Sequence, residues 1–204
     1  MKKLQKCFGN HYVPSNCDKI ACDKVYQIRR KEEKVQKMEY KRKVDKGRIP
    51  TCNIMGVNIA AINMEWLVQY LKKNLSEIKG DYICVSNVHT TVTSYEDAAY
   101  CAMAIPDGGP LSTVGRKRGH KNMERTTGPS LMGEIFEISA EKGYRHYFFG
   151  SKEETLEVLY QKLTENYPGI QIAGMYSPPF RPLTEEEDKV VIERINETKP
   201  DFVW

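Results

Sequence analysis

The chain has 204 residues, 40% of them hydrophobic, which is enough for one domain with a substantial core and too few for two large domains. No run of about 18 apolar residues occurs, and no apolar stretch follows the charged start, so neither a transmembrane helix nor a secretory signal is expected. These features predict a cytoplasmic protein.

The formal net charge of +4 is unevenly distributed along the chain. Residues 1–50 carry 15 basic and 6 acidic side chains, net +9, whereas residues 51–204 carry 16 and 21, net −5. We therefore predict a basic, flexible extension over 1–50 and one folded domain over 51–204. Positive charge favours contact with anionic lipid, but a solvated extension is the simpler interpretation. No nucleic-acid partner is predicted.

The six cysteines do not predict a disulfide framework, because this is not a small secreted chain. Cys52 and Cys84 lie in apolar runs and are expected to be core thiols. No metal site is predicted, because the extension lacks the paired Cys-x-x-Cys spacing of zinc sites in its potential ligands Cys7, His11, Cys17 and Cys22.

From residue 51 onward, short β-rich runs alternate with amphipathic helical patterns. This alternation is typical of an α/β protein, and we predict a Rossmann-like layered α/β fold with a mainly parallel sheet. The predicted strands are Cys52–Met55, Tyr82–Val85, Met103–Ile105, Arg145–Phe149, Ile170–Ala173 and Asp201–Trp204.

Apolar residues spaced by three and four predict helices between these strands, with stripes formed by Met64, Leu67, Leu71 and Leu75 and by Leu131, Ile135 and Ile138. Capping boxes at Ser151–Glu154 and Thr184–Glu187 predict two further helix starts. Gly150 ends a predicted strand directly before the first box. Because doubly wound folds bind ligands at such positions, Gly150 is a predicted binding residue.

Two segments depart from the expected pattern. The helical pattern of Thr90–Tyr100 runs almost directly into the strand at Met103, although such connections usually need about 2–6 residues, so either the helix ends early or residues are missing. The residues 201–204 begin like a buried strand and then stop, which predicts a fragment.

Polar residues follow the second predicted strand. Ser86 and Asn87 are expected at its carboxyl end, where open α/β sheets bind ligands. The Asn87 amide offers both a donor and an acceptor to a uracil or a sugar amide. Alternatively, Asn87 and Thr90 cap the next helix.

The next strand delivers Asp107 into a turn with Gly108 and Gly109, whose lack of side chains lets a ligand approach the backbone. An aspartate in this place can take a proton from an attacking hydroxyl as a general base. Pro-Asp-Gly is also an ordinary turn sequence, which is the alternative interpretation.

Arg125 comes directly before Thr126-Thr127-Gly128, where a helix is expected to open near Pro129. An arginine beside a helix N-terminus can hold a diphosphate through its planar fork and the exposed N–H groups. Arg125 and Gly128 are therefore predicted binding residues. Arg116–Arg118 are expected to form a solvated charged loop, and His120 and His146 receive no role.

Taken in order, these motifs resemble those of the WecG/TagA/CpsF glycosyltransferases, glycosyltransferase family 26. The resemblance covers roughly Thr51–Trp204, and the order and spacing of several weak motifs make it specific. Besides Asn87, the motifs are Gly56-Val57-Asn58-Ile59, Pro106-Asp107-Gly108, Glu124-Arg125-Thr126-Thr127-Gly128, Tyr147-Phe148-Phe149-Gly150 and Tyr167-Pro168-Gly169.

The resemblance implies an inverting transfer of N-acetylmannosamine or a similar hexose from a UDP-sugar to a polyprenyl-diphosphate-linked acceptor, without metal or cofactor. Such transfers build teichoic acid, capsule or exopolysaccharide. The resemblance makes Asp107 the base that deprotonates the acceptor hydroxyl, and it makes Asn87 and Arg125 ligands of the donor sugar and diphosphate. Ser86, Gly108, Gly128 and Gly150 complete the predicted substrate site. The lipid acceptor implies a peripheral place at the inner face of the cell membrane.

The chain departs from the family pattern in three places. Similar proteins have several more residues between the helix after His89 and the Pro-Asp-Gly strand. The family threonine that accompanies the asparagine falls at Val85, and Ser86 is the nearest hydroxyl that would replace it. Family members also continue past the position of Trp204 with a Gly-Ala-Pro-Lys-Gln-Glu motif and a membrane-contacting segment. The alternative function is therefore an inactive fragment or a UDP-sugar-binding module. The donor, the acceptor, the polymer and the oligomeric state, a homo-oligomer included, stay open.

A Rossmann-type oxidoreductase is disfavoured, because no Gly-x-Gly-x-x-Gly follows the first predicted strand.

Overall fold

The structure is a computed structural model, which describes residues 48–93 and 101–204. The chain divides into two compact units, the first ending at Leu131 and the second spanning Met132–Trp204. The predicted extension over 1–50, with its potential zinc ligands, lies outside the described residues except for its last three. The division into an extension and one domain over 51–204 therefore stays a prediction.

The first unit contains a four-stranded sheet of order β1-β2-β4-β3. Strands β2, β3 and β4 run parallel, and β1 pairs with β2 in the antiparallel sense. The elements are β1 (Thr51–Ile54), β2 (Val57–Ala60), α1 (Met64–Asn74), β3 (Ile83–Ser86), α2 (Val88–Thr93), β4 (Met103–Pro106) and α3 (Gly109–Lys117), and α4 (Gly128–Lys142) begins at the end of this unit.

The predicted apolar stripe of α1 is confirmed, since Leu67 and Leu71 are buried and Met64 and Leu75 are half-buried. Cys52 and Cys84 are buried in the core of the unit, as their apolar surroundings in the sequence predict. Of the predicted helix Thr90–Tyr100, the structure describes only the part within α2, because residues 94–100 lie outside the described ranges.

Strand β2 was absent from the predicted set, and it forms a hairpin with β1 through a two-residue turn. Met55 and Gly56 both have positive φ, 53° and 84°, as in the type I′ turn that matches the twist of a hairpin. Asn53 braces this turn, because its Oδ1 accepts a hydrogen bond from Gly56 N and its Nδ2 donates to Asn58 Oδ1. The sequence signal is weak because methionine stands where asparagine or glycine is usual.

The second unit holds a three-stranded parallel sheet of order β6-β5-β7. After the rest of α4, its elements are β5 (Arg145–Phe149), α5 (Glu153–Asn166), β6 (Gln171–Tyr176), α6 (Glu185–Glu197) and β7 (Phe202–Val203). Its core includes Phe136, Phe148, Leu156 and Leu163. The parallel strands and intervening helices of both units confirm the predicted α/β class. All six predicted strands occur, Arg145–Phe149 with the predicted bounds and the other five with at least one end shifted.

The two capping boxes have different outcomes. Thr184 caps α6 as predicted, with its hydroxyl accepting from Glu187 N and the Glu187 carboxylate accepting from Thr184 N. The capping box predicted at Ser151 is wrong, because the N-cap of α5 is Lys152, which has no side-chain oxygen to accept a hydrogen bond from the first turn of the helix. Ser151 has φ of 66°, whereas a capping residue needs extended backbone.

His146 has partners that sequence reasoning missed. Trp204 Nε1 donates to His146 Nδ1 at 3.0 Å, and His146 Nε2 lies 2.8 Å from Ser139 Oγ. Because an indole nitrogen only donates, His146 Nδ1 must accept and Nε2 must carry the proton. The Ser139 hydroxyl then accepts from Nε2 and donates to Ile135 O. Burial lowers the pKa of His146 to about 4, partly offset by the Asp201 carboxylate.

The charged segment at 116–118 is also helical where a loop was expected. Arg116 and Lys117 form the last turn of α3, and Arg118 is its C-cap. The three side chains are exposed, as predicted, but two guanidinium groups bond to backbone carbonyls: Arg116 to Met123 O and Arg118 to Asn53 O.

Candidate active site

The candidate site begins at the carboxyl ends of β3 and β4. These neighbouring strands are parallel and pair Ser86 with Pro106. Asp107 N donates to Ser86 O at 2.7 Å, so the pairing continues one residue past β4. Asn87 and Asp107 therefore leave the sheet at the same edge, which is where open α/β sheets bind ligands.

The carboxylate of Asp107 is available for chemistry. Its side chain is 19% exposed, and its Oδ1 lies 3.8 Å from Nε of Arg125. That distance is longer than a hydrogen bond, and no group among the described residues donates a hydrogen bond to this carboxylate. An aspartate in this state can accept a proton from a substrate hydroxyl without first giving up a protein partner.

Arg125 combines a fixed backbone with an exposed side chain. On one side Glu124 N donates to Ile62 O at 3.0 Å, and on the other Thr126 N donates to Pro106 O at 2.7 Å. The Arg125 side chain is 63% exposed, and within the described ranges its guanidinium hydrogen-bonds to no acceptor. Its donors can therefore turn to an anionic ligand.

Gly108 has a backbone conformation that side chains do not tolerate. It is the N-cap of α3, with φ of 149° and ψ of 143°. A Cβ atom there would meet nothing closer than Pro110 Cδ at 3.8 Å, so the dihedral angles, and not a lack of space, require glycine. Pro110 then fits the first turn of α3, where its missing N–H costs nothing.

Asn87 takes the capping role that was the alternative interpretation of this residue. Its Oδ1 accepts from Thr90 N at 2.9 Å, and Thr90 Oγ1 accepts from Asn87 N at 2.7 Å. The Asn87 Nδ2 group donates to no acceptor in the described part of the chain. The cap thus fixes the side chain and leaves its amide nitrogen available to a ligand.

Ser86 and Gly128 lie on different sides of β3. Ser86 is buried, and its hydroxyl donates a hydrogen bond to Cys84 Sγ at 3.6 Å. A Cβ atom at Gly128 would lie 3.8 Å from Cγ2 of Val85, so the Val85 side chain faces the start of α4. Since successive side chains of a strand point to opposite faces, the Ser86 hydroxyl points away from the position that Val85 holds.

Gly150 belongs to the second unit. Its N donates to Tyr176 O at 2.9 Å, its φ is 119°, and no atom would lie within 4 Å of an added Cβ. The structure thus brings together Asp107, Arg125 and the Pro106–Gly108 turn within the first unit and places Gly150 at the end of β5. Thr126 is a site residue that sequence reasoning missed, since it was named only as part of a motif. Its position directly after Arg125 is the feature of the sequence that could have identified it.

Two broader features concern only residues 48–93 and 101–204. No three His, Cys, Asp or Glu residues there are grouped as metal ligands would be. None of the helices in those ranges has the length and apolarity to cross a membrane.

Comparison with known proteins identifies the family of the chain. The sequence model of the glycosyl transferase WecG/TagA/CpsF family matches residues 52–204. The chain is 24% identical over 149 residues to the N-acetylglucosaminyldiphosphoundecaprenol N-acetyl-beta-D-mannosaminyltransferase of Bacillus subtilis (strain 168), covering 70% of this chain and 56% of that protein.

Proteins of the same name match from two further organisms. The Bacillus spizizenii protein is 24% identical over 64% of this chain and 51% of its own length. The Staphylococcus aureus (strain NCTC 8325 / PS 47) protein is 21% identical over 74% of this chain and 61% of its own length. The chain therefore spans about half the length of the curated relatives it matches.

Proposed function

The chain belongs to the WecG/TagA/CpsF family of glycosyltransferases, and we propose on that basis that it transfers N-acetylmannosamine or a similar hexose from a UDP-sugar to a polyprenyl-diphosphate-linked sugar. The names of the relatives support a lipid-linked acceptor and an N-acetylmannosaminyl product in those proteins. The product would enter a cell-surface polysaccharide such as teichoic acid, capsule or exopolysaccharide. A lipid-linked acceptor would place the protein in the cytoplasm, at the inner face of the membrane.

The observation that carries the proposal is the Asp107 carboxylate, which has no hydrogen-bond donor among the described residues and lies beside the exposed Arg125. In the proposed reaction, Asp107 takes the proton of the acceptor hydroxyl as its oxygen attacks the anomeric carbon. The bond from that carbon to UDP breaks, and UDP leaves with the electron pair from the opposite face. Inversion at the anomeric carbon follows from this geometry.

Arg125 would hold the donor diphosphate, which gains negative charge as UDP leaves. The 3.8 Å separation from Asp107 is loose enough for the guanidinium to exchange the carboxylate for phosphate oxygens. Asn87 Nδ2 would donate to the donor, and Gly108 and Gly128 would let the substrate approach the backbone. We also propose transfer without metal or cofactor.

The test measures transfer and binding separately. Purified protein is incubated with UDP-N-acetylmannosamine and a short prenyl-diphosphate N-acetylglucosamine acceptor, with and without EDTA, and UDP release and the disaccharide product are quantified. Binding of UDP-N-acetylmannosamine is measured by calorimetry. We expect turnover that EDTA does not reduce, and Asp107→Asn should lower it at least about 100-fold while keeping donor binding.

The matched control is Asp81→Asn, at the opposite end of β3. Asp81 Oδ1 accepts from Tyr82 N at 2.8 Å, a bond that an asparagine oxygen reproduces, so this variant should keep wild-type turnover. Full turnover in Asp107→Asn would refute the base assignment. Donor binding without turnover in the wild type would establish the second candidate, a UDP-sugar-binding module. If the wild type shows no donor binding and no turnover, both candidate functions are refuted.

A further inference from the structure

A single peptide group, the one between Pro106 and Asp107, is hydrogen-bonded from both sides. Its N–H donates to Ser86 O at 2.7 Å. Its carbonyl accepts twice from Thr126, from the backbone N at 2.7 Å and from Oγ1 at 3.3 Å. The backbone that carries Asp107 is thus held by β3 on one side and by Thr126 on the other.

Thr126 is suited to fixing such a position. It is fully buried, so water does not compete for its hydrogen bonds. Its β-branched side chain has few rotamers, which keeps Oγ1 directed at the Pro106 carbonyl. The same residue follows Arg125, whose exposed side chain therefore starts from a backbone position set by the anchor on Pro106.

We propose that Thr126 is a positioning residue for the transfer reaction, which sets Arg125 and Asp107 at their mutual distance by bonding to the Pro106 carbonyl. This inference rests on the proposed function of Asp107 and Arg125. Thr126 itself acts through these two residues, because its hydroxyl is buried and already bonded to the peptide group before Asp107.

The decisive experiment is a double-mutant cycle. Thr126→Val keeps the branched shape and removes the hydroxyl, whereas Thr126→Ser keeps the hydroxyl. We expect Thr126→Val to lower kcat/KM about tenfold, because small misplacements of reacting groups are costly, and Thr126→Ser to restore most of it. In an Arg125→Ala background, Thr126→Val should have less than about a twofold effect, since residues acting as one unit are not additive.

The control for lost stability is Ser139→Ala, which removes a buried hydroxyl bonded to Ile135 O in the second unit. It should lower the melting temperature by a similar amount and leave kcat/KM unchanged. If Thr126→Val lowers kcat/KM by the same factor with and without Arg125, the residue is only structural and the inference is wrong.

A second readout does not depend on activity. The Arg125 Nε–Hε resonance is followed by NMR in the wild type, Asp107→Asn, Thr126→Val and Thr126→Ser. We expect Thr126→Val to shift this resonance in the direction of Asp107→Asn and Thr126→Ser to leave it in place. A wild type without turnover refutes the proposed function alone. An Arg125 resonance that Thr126→Val does not move refutes the positioning role.

Discussion

Nε of Arg125 lies 3.8 Å from Oδ1 of Asp107, although α3 and the loop after it separate the two residues along the chain. The pair is loose and the arginine is 63% exposed, so water screens the attraction. Exposed pairs of this kind contribute about 0–1 kcal/mol to stability. Breaking the pair therefore costs the fold little stability, so Arg125 is available for a ligand.

The first prediction separates function from stability at Arg125. Arg125→Ala should lower kcat/KM about 100-fold and change the free energy of unfolding by less than about 1 kcal/mol, because the exposed pair stabilises weakly. The kcat/KM of Arg125→Lys should lie between those of the wild type and Arg125→Ala, because an ammonium keeps the charge and loses the planar fork. Steady-state kinetics and urea unfolding check this. Arg118→Ala is the control and should keep turnover. A normal kcat/KM in Arg125→Ala contradicts the proposed role.

The second prediction compares two adjacent glycines. Gly108→Ala should lower the free energy of unfolding by about 1–3 kcal/mol, because alanine is strained at φ of 149°. Gly109→Ala should leave stability unchanged or raise it by up to about 1 kcal/mol, because Gly109 starts α3 and an added Cβ meets no atom within 4 Å. Urea unfolding of both variants decides the matter. Equal effects at the two positions show that the backbone angle at Gly108 is not the constraint.

The third prediction concerns the buried hydroxyl of Tyr147. In the described part of the chain it has no hydrogen-bond partner, and burial raises its pKa. Tyr147→Phe should therefore keep or raise stability, by up to about 1–2 kcal/mol, because no bond is lost and a desolvated polar group is removed. Thermal unfolding of the wild type and the variant measures this change in stability. Ser139→Ala is the contrast, since its hydroxyl is bonded. A marked loss in Tyr147→Phe points to an ordered water on the hydroxyl.

The fourth prediction is a pH dependence of stability. The pKa of His146 in the folded chain is about 4, below its ordinary value of 6.5. Between pH 4 and 6.5, His146 therefore binds a proton in the unfolded chain and not in the folded chain. Stability should fall as pH decreases from 6.5 to 4, by roughly 3 kcal/mol from this group, and then level off. Protonation needs a hydrogen on Nδ1, where Trp204 already donates.

Urea unfolding of the wild type and His146→Asn across this pH range measures the effect. The variant is expected to be less stable at pH 7, because the chain from Trp204 to Ser139 is broken, and to lack the loss attributed to His146. Equal pH slopes in both proteins mean that other groups, not His146, bind the protons.

Much of the fold was predictable because it depends on neighbours in the sequence. The stripe with Leu67 and Leu71 fixes the buried face of α1, and the Thr184 box fixes the start of α6. The errors lie where backbone angles override residue type. Met55 adopts a left-handed conformation that closes the β1–β2 hairpin, and Ser151 has positive φ where a cap needs extended backbone.

For the site, the sequence by itself determined that Asp107 follows an apolar strand, that glycine follows it, and that Arg125 precedes a helix. These facts concern residues adjacent in the chain. Only the tertiary structure decided that β3 lies beside β4, that Thr126 bonds to the Pro106 carbonyl, and that Arg125 consequently lies next to Asp107. The reason is physical: strand order and the path of a loop depend on hydrogen bonds between distant residues, which no local pattern encodes.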